Sequence, residues 1–122
     1  MLYLTLKMHP CIYLILFWDE KDMLNITRNS NGPEDLTFVL SGRLDTTTSP
    51  ELDAEVKESL GGIKELVFDI ADLQYISSAG LRVLLSAQKI MNKQGSMVVK
   101  NPSDEVKEIF DVTGFADILT IE

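Results

Sequence analysis

The sequence predicts an α/β domain, with a mixed β-sheet of four to five strands and three to four helices packed on it. Short segments rich in β-forming residues alternate with longer segments in which apolar residues recur every three or four positions. Strands that alternate with helices favour parallel pairs joined by right-handed crossovers. Because no helix separates the first two strand-like segments, an opening hairpin makes the sheet mixed. The 122 residues allow one domain with a substantial core.

The opening hairpin is predicted from three consecutive segments. Residues 24–28 alternate apolar and polar side chains, as a half-buried strand does. Residues 29–33 contain Asn, Gly and Pro, which favour the backbone conformations of turns. Residues 36–40 form the second predicted strand, and we expect it to pair with the first.

A first helix is predicted after the threonines at residues 46–48. Ser49 is the predicted N-cap, Pro50 suits the first helical position, and Glu51 complements the positive end of the helix dipole. The apolar face repeats every four residues, at Leu52, Val56 and Leu60. The glycine pair at residues 61–62 ends the helix.

The centre of the sheet and a second helix come next. Residues 66–70 are mostly apolar and rich in β-formers, which predicts a central strand buried on both faces. A short polar turn follows, and the helix after Ser78 directs four apolar residues toward the core: Leu81, Leu84, Leu85 and Ile90. Gly95 closes this helix, and residues 97–99 form the next strand.

The C-terminal part is predicted as a helix and a last strand. Ser103 caps the helix, and Gly114 stops it. Its buried face is predicted at Val106, Ile109 and Phe110. Residues 118–121 can add a final strand to the sheet.

Composition excludes several functional classes. The net charge of −8 argues against a surface for nucleic acid or anionic membranes, both of which call for basic patches. Cys11 is the only cysteine and His9 the only histidine, so neither a disulfide nor a zinc site nor histidine-based catalysis is expected in the domain. No nucleophile–base pair, P-loop or dinucleotide fingerprint can be found. We therefore expect a protein that is not an enzyme and that uses no cofactor and no metal.

The N-terminal segment, residues 1–22, differs in character from the rest of the chain. Residues 1–18 are strongly apolar but interrupted, and a spanning helix needs about 20 apolar residues. A secretory signal would end in small residues, whereas residues 19–22 are charged. We interpret residues 1–22 as an extension from an early start codon and residues 23–122 as the domain. An added edge strand and a weak membrane tether are the alternatives, and stable membrane insertion is not expected.

Two serines lie where the central strand gives way to a helix. The motif DLQYISSAGL at residues 72–81 contains them and leads into an apolar helix. A hydroxyl there sits at a helix N-terminus, where unpaired backbone N–H groups and the helix dipole favour an anion. Ser77 or Ser78 can therefore be a helix cap, a phosphate acceptor, or both. The residues alone favour the cap.

A basic stripe follows these serines along the predicted helix. At spacings of four, three and four, one helix face presents Arg82, Ser86, Lys89 and Lys93. Ser78 heads this basic stripe, one helical turn before its first member. In an otherwise acidic chain, such a stripe fits a docking surface or a place where phosphate is held.

The sequence resembles the STAS family, which comprises the bacterial anti-sigma factor antagonists and their relatives. The resemblance rests on GRLD at residues 42–45, followed by a Thr/Ser-rich turn and a helix, and on the motif at residues 72–81. It covers most of the chain and implies a STAS-like fold. In such relatives a partner kinase phosphorylates the serine just before a small residue and Gly-Leu, which is Ser78 here. Where relatives often carry an acidic residue before this serine and Ser or Thr after it, this chain has Ser77 and Ala79, so Ser77 is the second choice as acceptor.

The resemblance also implies a cytoplasmic protein with a function in transcription regulation. The unphosphorylated protein would bind an anti-sigma factor that is also a serine kinase, and so free a sigma factor. The kinase would phosphorylate Ser78 with its own ATP and magnesium, and a serine phosphatase would reset the switch. The expected partner-binding residues are Asp45, Ser77, Ser78, Gly80, Arg82, Ser86 and Lys89.

Two alternatives keep the fold and change the function. One is a STAS subunit of a phospholipid-transport ABC complex or of another signalling assembly. The other is a small-molecule or nucleotide-binding module, for which Asp45 and the turn at residues 46–48 would matter. For Asp45 we favour a structural role, in which its side chain orders this turn, over contact with a ligand or partner.

Two further carboxylates, Asp69 and Asp72, lie near the end of the predicted central strand. Carboxylates gather at such positions in catalytic or metal sites. Because no third ligand is evident, we expect structural roles, with Asp72 capping the turn before Leu73.

Overall fold

The computed structural model describes residues 23–122, which form one sheet and three helices. In chain order the elements are β1 (Leu24–Gly32), β2 (Asp35–Leu44), α1 (Ser49–Ser59), β3 (Glu65–Ile76), α2 (Ser78–Gln94), β4 (Ser96–Lys100), α3 (Asp104–Thr113) and a 3₁₀ turn (Phe115–Asp117). The predicted mixed sheet with helices packed on it is confirmed. The predictions for residues 1–22 lie outside the described residues.

The four strands lie in the order β1-β2-β3-β4. β1 pairs antiparallel with β2, whereas β2 with β3 and β3 with β4 are parallel pairs. A helix joins the two strands of each parallel pair, α1 for the first and α2 for the second, as parallel strands require. The carboxyl ends of β2 and β3 therefore meet at the same end of the sheet, and both sequence motifs lie there.

One face of the sheet packs against the helices. Phe38 and Phe68, on neighbouring strands, stack with ring centroids 5.4 Å apart, and both side chains are fully buried. A single hydrophobic cluster joins them to residues from all three helices, among them Leu52, Val56, Leu84, Met91, Val106 and Phe110. Burying a large apolar side chain contributes roughly 1.5–3 kcal/mol, so this one-sided core holds the helices on the sheet.

The prediction that the central strand is buried on both faces is wrong for the part of the chain described here. Leu66, Phe68 and Ile70 are buried, whereas Val67 and Asp69 are only half-buried. The difference arises because the described helices join a cluster on one face of the sheet only.

β3 continues to Ile76, through the segment predicted as a polar turn. Its last residues pair with the last residues of β2, ending with Ile76 opposite Leu44. The register shifts at two places in this pairing, so β3 carries extra, bulged residues there. The bulges interrupt the two-residue alternation of a strand, which explains why residues 72–74 have the pattern of a turn.

The hairpin turn is shorter than predicted. β1 extends to Gly32, which leaves only Pro33 and Glu34 between the strands. Ser30 Oγ donates to the carbonyl oxygens of Gly32 and Asp35. These side-chain hydrogen bonds stabilise the irregular end of β1. Residue propensities alone assign this end to the turn.

The first helix begins one residue earlier than predicted. Ser49 is its first residue and Thr48 its N-cap, so the prediction that Ser49 is the cap is wrong. Ser49 is buried, and its Oγ donates to the carbonyl oxygen of Asp45. Pro50 is therefore the second helical residue and not the first as predicted, although it still lies in the first turn. The predicted apolar face is buried at Leu52, Val56 and Leu60.

The core face of α2 is broader than its leucines suggest. Leu81 and Leu84 are buried, whereas Leu85 and Ile90 are half-buried. The other residues buried along α2, which the apolar periodicity did not single out, are Gly80, Val83, Ala87, Gln88 and Met91.

The C-terminal helix has the predicted caps but not the predicted strand after it. Ser103 Oγ accepts a hydrogen bond from the backbone N–H of Val106 at 3.3 Å, and Gly114 follows the last turn. The prediction of a final strand is wrong within the described residues, since only one bridge, between Val99 and Ile121, is present. A 3₁₀ turn at Phe115–Asp117 lies between α3 and this bridge.

Candidate functional site

The two sequence motifs meet at the carboxyl ends of β2 and β3. The strands end with Leu44 opposite Ile76. Immediately beyond, the backbone N–H of Ser77 donates to the carbonyl oxygen of Leu44 at 2.9 Å. The turn that begins at Asp45 and the start of α2 therefore leave the sheet side by side.

Ser77 is the N-cap of α2. Its backbone is extended, with φ −98° and ψ 176°, and its Oγ accepts a hydrogen bond from the backbone N–H of Gly80 at 3.4 Å. This bond satisfies one of the unpaired N–H groups of the first helical turn. The hydroxyl of Ser77 is thus occupied by a structural role.

Ser78 is the first residue of α2 and is exposed to solvent. No hydrogen bond joins its Oγ to another residue in the range 23–122. The two roles that the sequence left open are thus divided between neighbours, with the cap on Ser77 and an accessible hydroxyl on Ser78. That hydroxyl stands at the positive end of the helix dipole.

Gly80 is buried where α2 begins to cross the end of β2. A Cβ atom at this position would lie 2.7 Å from Leu44 Cγ and 2.9 Å from Ile76 Cγ1. Glycine is therefore required by the close approach of the helix to both strands. Contact between Gly80 and a partner stays a prediction.

Asp45 orders the turn after β2, as predicted. Its Oδ1 accepts hydrogen bonds from the backbone N–H groups of Thr47 at 3.0 Å and Thr48 at 3.1 Å. In return, the backbone N–H of Asp45 donates to Thr48 Oγ1 at 2.9 Å. This reciprocal pattern holds the turn beside the start of α2.

Arg43 and Tyr75 form a contact that sequence reasoning missed. The guanidinium carbon of Arg43 lies 4.4 Å from the centroid of the Tyr75 ring, and its Nε is 3.7 Å from Asp45 Oδ2. Tyr75 remains 37% exposed, so the contact lies at the surface. No local sequence pattern indicates this contact, because it depends on the two residues pairing in register just before the ends of their strands.

The basic stripe lies on the outer side of α2. Arg82, Lys89 and Lys93 are exposed, and Ser86 is half-buried. None of the three cations pairs with an acidic residue of the described part of the chain. Arg82 and Ser86 also border a groove of about 340 Å³ between α1 and α2. A basic surface therefore begins one helical turn after Ser78.

The two other carboxylates singled out in the sequence both lie within β3. Asp69 Oδ1 accepts from the backbone N–H of Ala71 at 3.2 Å and from Asn101 Nδ2 at 3.3 Å. Asp72 is exposed within the strand, so the prediction that it caps a turn is wrong. Across residues 23–122, no group of three or more His, Cys, Asp or Glu residues is arranged to hold a metal ion, and no helix has the length and apolarity to cross a membrane.

The sequence matches known proteins over most of its length. Residues 26–122 match the STAS domain, which confirms the resemblance drawn from the two motifs. BtrV of Bordetella bronchiseptica, a candidate anti-sigma factor antagonist, is 36% identical to this chain over 88 residues. That match covers 70% of this chain and 76% of BtrV.

Solved structures share the fold. An anti-sigma factor antagonist from Mycobacterium paratuberculosis gives a TM-score of 0.74 at 18% identity, over 82% of this chain and 86% of that one. SpoIIAA, a Bacillus cell fate determinant solved in its phosphorylated form, gives a TM-score of 0.64 at 17% identity, over 80% of this chain and 91% of that one.

Proposed function

We propose that this chain, which belongs to the STAS domain family, is an anti-sigma factor antagonist whose binding is switched off by phosphorylation of Ser78. The observation that carries the proposal is the division of roles between two adjacent serines. Ser77 is occupied as the helix cap, whereas Ser78 is exposed and makes no hydrogen bond to the described residues. The similarity to BtrV, a candidate antagonist, supports the binding function.

Phosphorylation of Ser78 is compatible with the fold. The modification adds about −1.5 to −2 charges and three strong acceptor oxygens. At the N-terminus of α2 this charge meets the positive end of the helix dipole, and Arg82, one turn further on, can pair with it. We therefore expect the domain to keep its structure when modified.

A bound partner would respond differently. A protein seated over Ser78 and the basic stripe needs an acidic or apolar patch there, because the stripe carries positive charge. A phosphoryl group under such a patch brings repulsion and a desolvation cost. A loss of about 3 kcal/mol lowers affinity roughly a hundredfold, so binding can be switched without a large conformational change.

A domain of the same fold is known to carry a phosphoryl group, since SpoIIAA has been solved in its phosphorylated form. This precedent supports the view that the architecture tolerates the modification.

The proposed partners are an anti-sigma factor with serine kinase activity and a serine phosphatase. In the kinase reaction, Ser78 Oγ attacks the γ-phosphorus of ATP, the bond from that phosphorus to ADP breaks, and the hydroxyl proton passes to a base of the kinase. The phosphatase returns the hydroxyl by hydrolysis. In this scheme the chain described here is a substrate and a binding protein, not a catalyst.

The proposal is tested by incubating the protein with ATP and a serine kinase of the anti-sigma factor class, then locating the phosphoryl group by mass spectrometry. We expect it on Ser78, and we expect Ser78→Ala to remain unmodified. Ser77→Ala is the matched control, because it removes the neighbouring hydroxyl and should still be phosphorylated. Modification of Ser77 in the wild type, or equal partner binding by the modified and unmodified forms, would contradict the proposal.

A further inference from the structure

Two helices on the same side of the sheet carry opposite charge. α2 contains three cations and no acidic residue, whereas α3 contains four acidic residues and one cation, Lys107. Because the basic stripe runs along the outer side of α2, the position of the acidic residues on α3 decides how the two charges are presented.

The acidic residues of α3 lie opposite its buried residues. Asp104, Glu108 and Asp111 recur at spacings of four and three, so they share one helix face, the acidic stripe. All three are exposed, whereas Val106 and Phe110 are fully buried. The acidic stripe therefore points away from the sheet, as the basic stripe does.

α2 and α3 lie side by side in the helix layer. Both contribute buried residues to the single cluster that contains Phe68. Ile121 pairs parallel with Val99 of β4, the last strand of the sheet, so α3 links parallel neighbours as α2 does. Successive right-handed crossovers of this kind place their helices next to each other on one face.

Neither stripe is neutralised by the described part of the chain. No ion pair within residues 23–122 includes a residue of either stripe. Close to the acidic stripe in the sequence, Val112 is 77% exposed and Ile118 is 51% exposed. A contact made here would therefore pair charges and also bury apolar surface.

We propose that two copies of this chain associate through these helices, with the basic stripe of each copy on the acidic stripe of the other. A two-fold axis that runs between α2 and α3 in the plane of contact makes both contacts at once. Each stripe then meets the complementary charge that it lacks within its own copy.

The net charge of −8 does not prevent this association. Net charge acts over long distances, and at about 0.15 M salt the interaction between exposed charges more than about 8 Å apart is largely screened. The charges of two stripes in contact are closer than this, so their attraction is retained.

Association of this kind would cover the basic stripe. Its consequence for regulation rests on the proposed function, in which the same stripe receives the anti-sigma factor. The dimer and the complex with the anti-sigma factor then exclude each other, so a high concentration of the chain lowers the fraction that is available to the partner.

Sedimentation equilibrium of the purified full-length chain tests the association. We expect a monomer–dimer equilibrium that weakens as salt rises from about 0.1 M to about 1 M. Lys89→Glu and Glu108→Lys should each weaken the dimer at least about tenfold, because each substitution places like charges in both contacts. An equal mixture of these two variants should recover the association of the wild type. In the mixed dimer the two reversed residues belong to the same contact, and the other contact is unchanged.

Lys64→Glu and Glu65→Lys are the matched controls, because they reverse exposed charges at the start of β3, outside both stripes. They should leave the association unchanged. The inference would be overturned by a chain that stays monomeric up to about 1 mM, or by a dimer that neither stripe variant weakens. It would also be overturned by a mixture that does not associate, by equal weakening in the controls, or by masses beyond two copies.

These measurements use no partner, so the self-association and the proposed function can fail separately. Lys89→Glu is expected to affect both the dimer and the complex with the anti-sigma factor. Titrating the anti-sigma factor at concentrations where the wild-type chain is monomeric keeps the two effects apart.

Discussion

The backbone N–H of Ser77 donates to the carbonyl oxygen of Leu44 at 2.9 Å, so the end of β2 positions the residue that caps α2. This bond links two motifs that are far apart in the chain. It also explains how the turn ordered by Asp45 comes to stand beside the exposed hydroxyl of Ser78.

The adjacent serines should differ in their effect on stability. Ser77→Ala removes the cap and should lower the free energy of unfolding by about 1 kcal/mol. Ser78→Ala should change it by less than about 0.5 kcal/mol, because the hydroxyl is exposed. Urea denaturation of both variants measures the difference, and equal losses would show that the cap is shared.

A negative charge at Ser78 should weaken partner binding without lowering the stability of the domain. Ser78→Asp should weaken binding to the anti-sigma factor roughly a hundredfold, as expected for a loss of about 3 kcal/mol. Its melting temperature should be unchanged or slightly raised, because aspartate in the first turn favours the helix dipole. Calorimetric titration and a thermal melt check the two parts.

Ser96→Asp is the control for this variant, since Ser96 is also exposed but lies at the start of β4. It should bind the anti-sigma factor like the wild type. Equal weakening by both substitutions would point to net charge and not to the position of Ser78.

Enlarging Gly80 should strain the junction between β2 and α2. Gly80→Ala places a Cβ within 2.9 Å of both Leu44 and Ile76 side chains, so we expect a loss of about 1–3 kcal/mol in unfolding free energy. Gly61→Ala makes the same change where nothing lies within 4 Å, and should cost less than about 0.5 kcal/mol. Wild-type stability in Gly80→Ala would mean that α2 can move away from the strands.

Reversing charge in the basic stripe should weaken partner binding in a salt-dependent way. Arg82→Glu and Lys89→Glu each replace an exposed cation, and the affinity difference from wild type should shrink as salt rises. Lys64→Glu changes an exposed cation outside the stripe and should have little effect. Binding measured at about 0.1 M and about 1 M salt, where the Debye length falls from ~10 to ~3 Å, tests this. An identical effect of Lys64→Glu would remove the stripe from the interface.

Loss of the Asp45 carboxylate should loosen the turn after β2. Asp45→Ala removes the acceptor for two backbone N–H groups and should cost about 1–3 kcal/mol of stability. Asp45→Asn retains an acceptor oxygen and should recover much of this loss. Thermal melts measure the loss of stability in both variants. An equal loss in both would show that the negative charge of Asp45, and not its role as a hydrogen-bond acceptor, stabilises the turn.

The fold class could be predicted because the apolar periodicity of the helices and the residues that cap them are visible in the sequence. The four-residue repeat of Leu52, Val56 and Leu60 marks a buried helix face, and all three side chains are buried. Ser103 and Gly114 bound α3 through local geometry that requires only neighbouring residues. The strand through residues 72–76 was missed because its bulges depend on pairing with β2, which sequence periodicity does not contain.

The candidate site was found only in part for the same reason. Its motifs are local, so Ser77 and Ser78 were singled out correctly as the start of a helix. Nothing local decides which hydroxyl bonds the helix and which faces solvent. The contact between Arg43 and Tyr75 was likewise hidden, because it depends on the register of two strands separated by α1.

By itself, the sequence determined the alternation of strands and helices, the caps of α3 and the serine-containing motif, because these depend on contacts within a few residues. Tertiary structure decided which serine caps the helix and which is exposed, and which glycine has no room for a side chain. Each of these depends on where a distant segment lies, and only the folded chain brings such segments together.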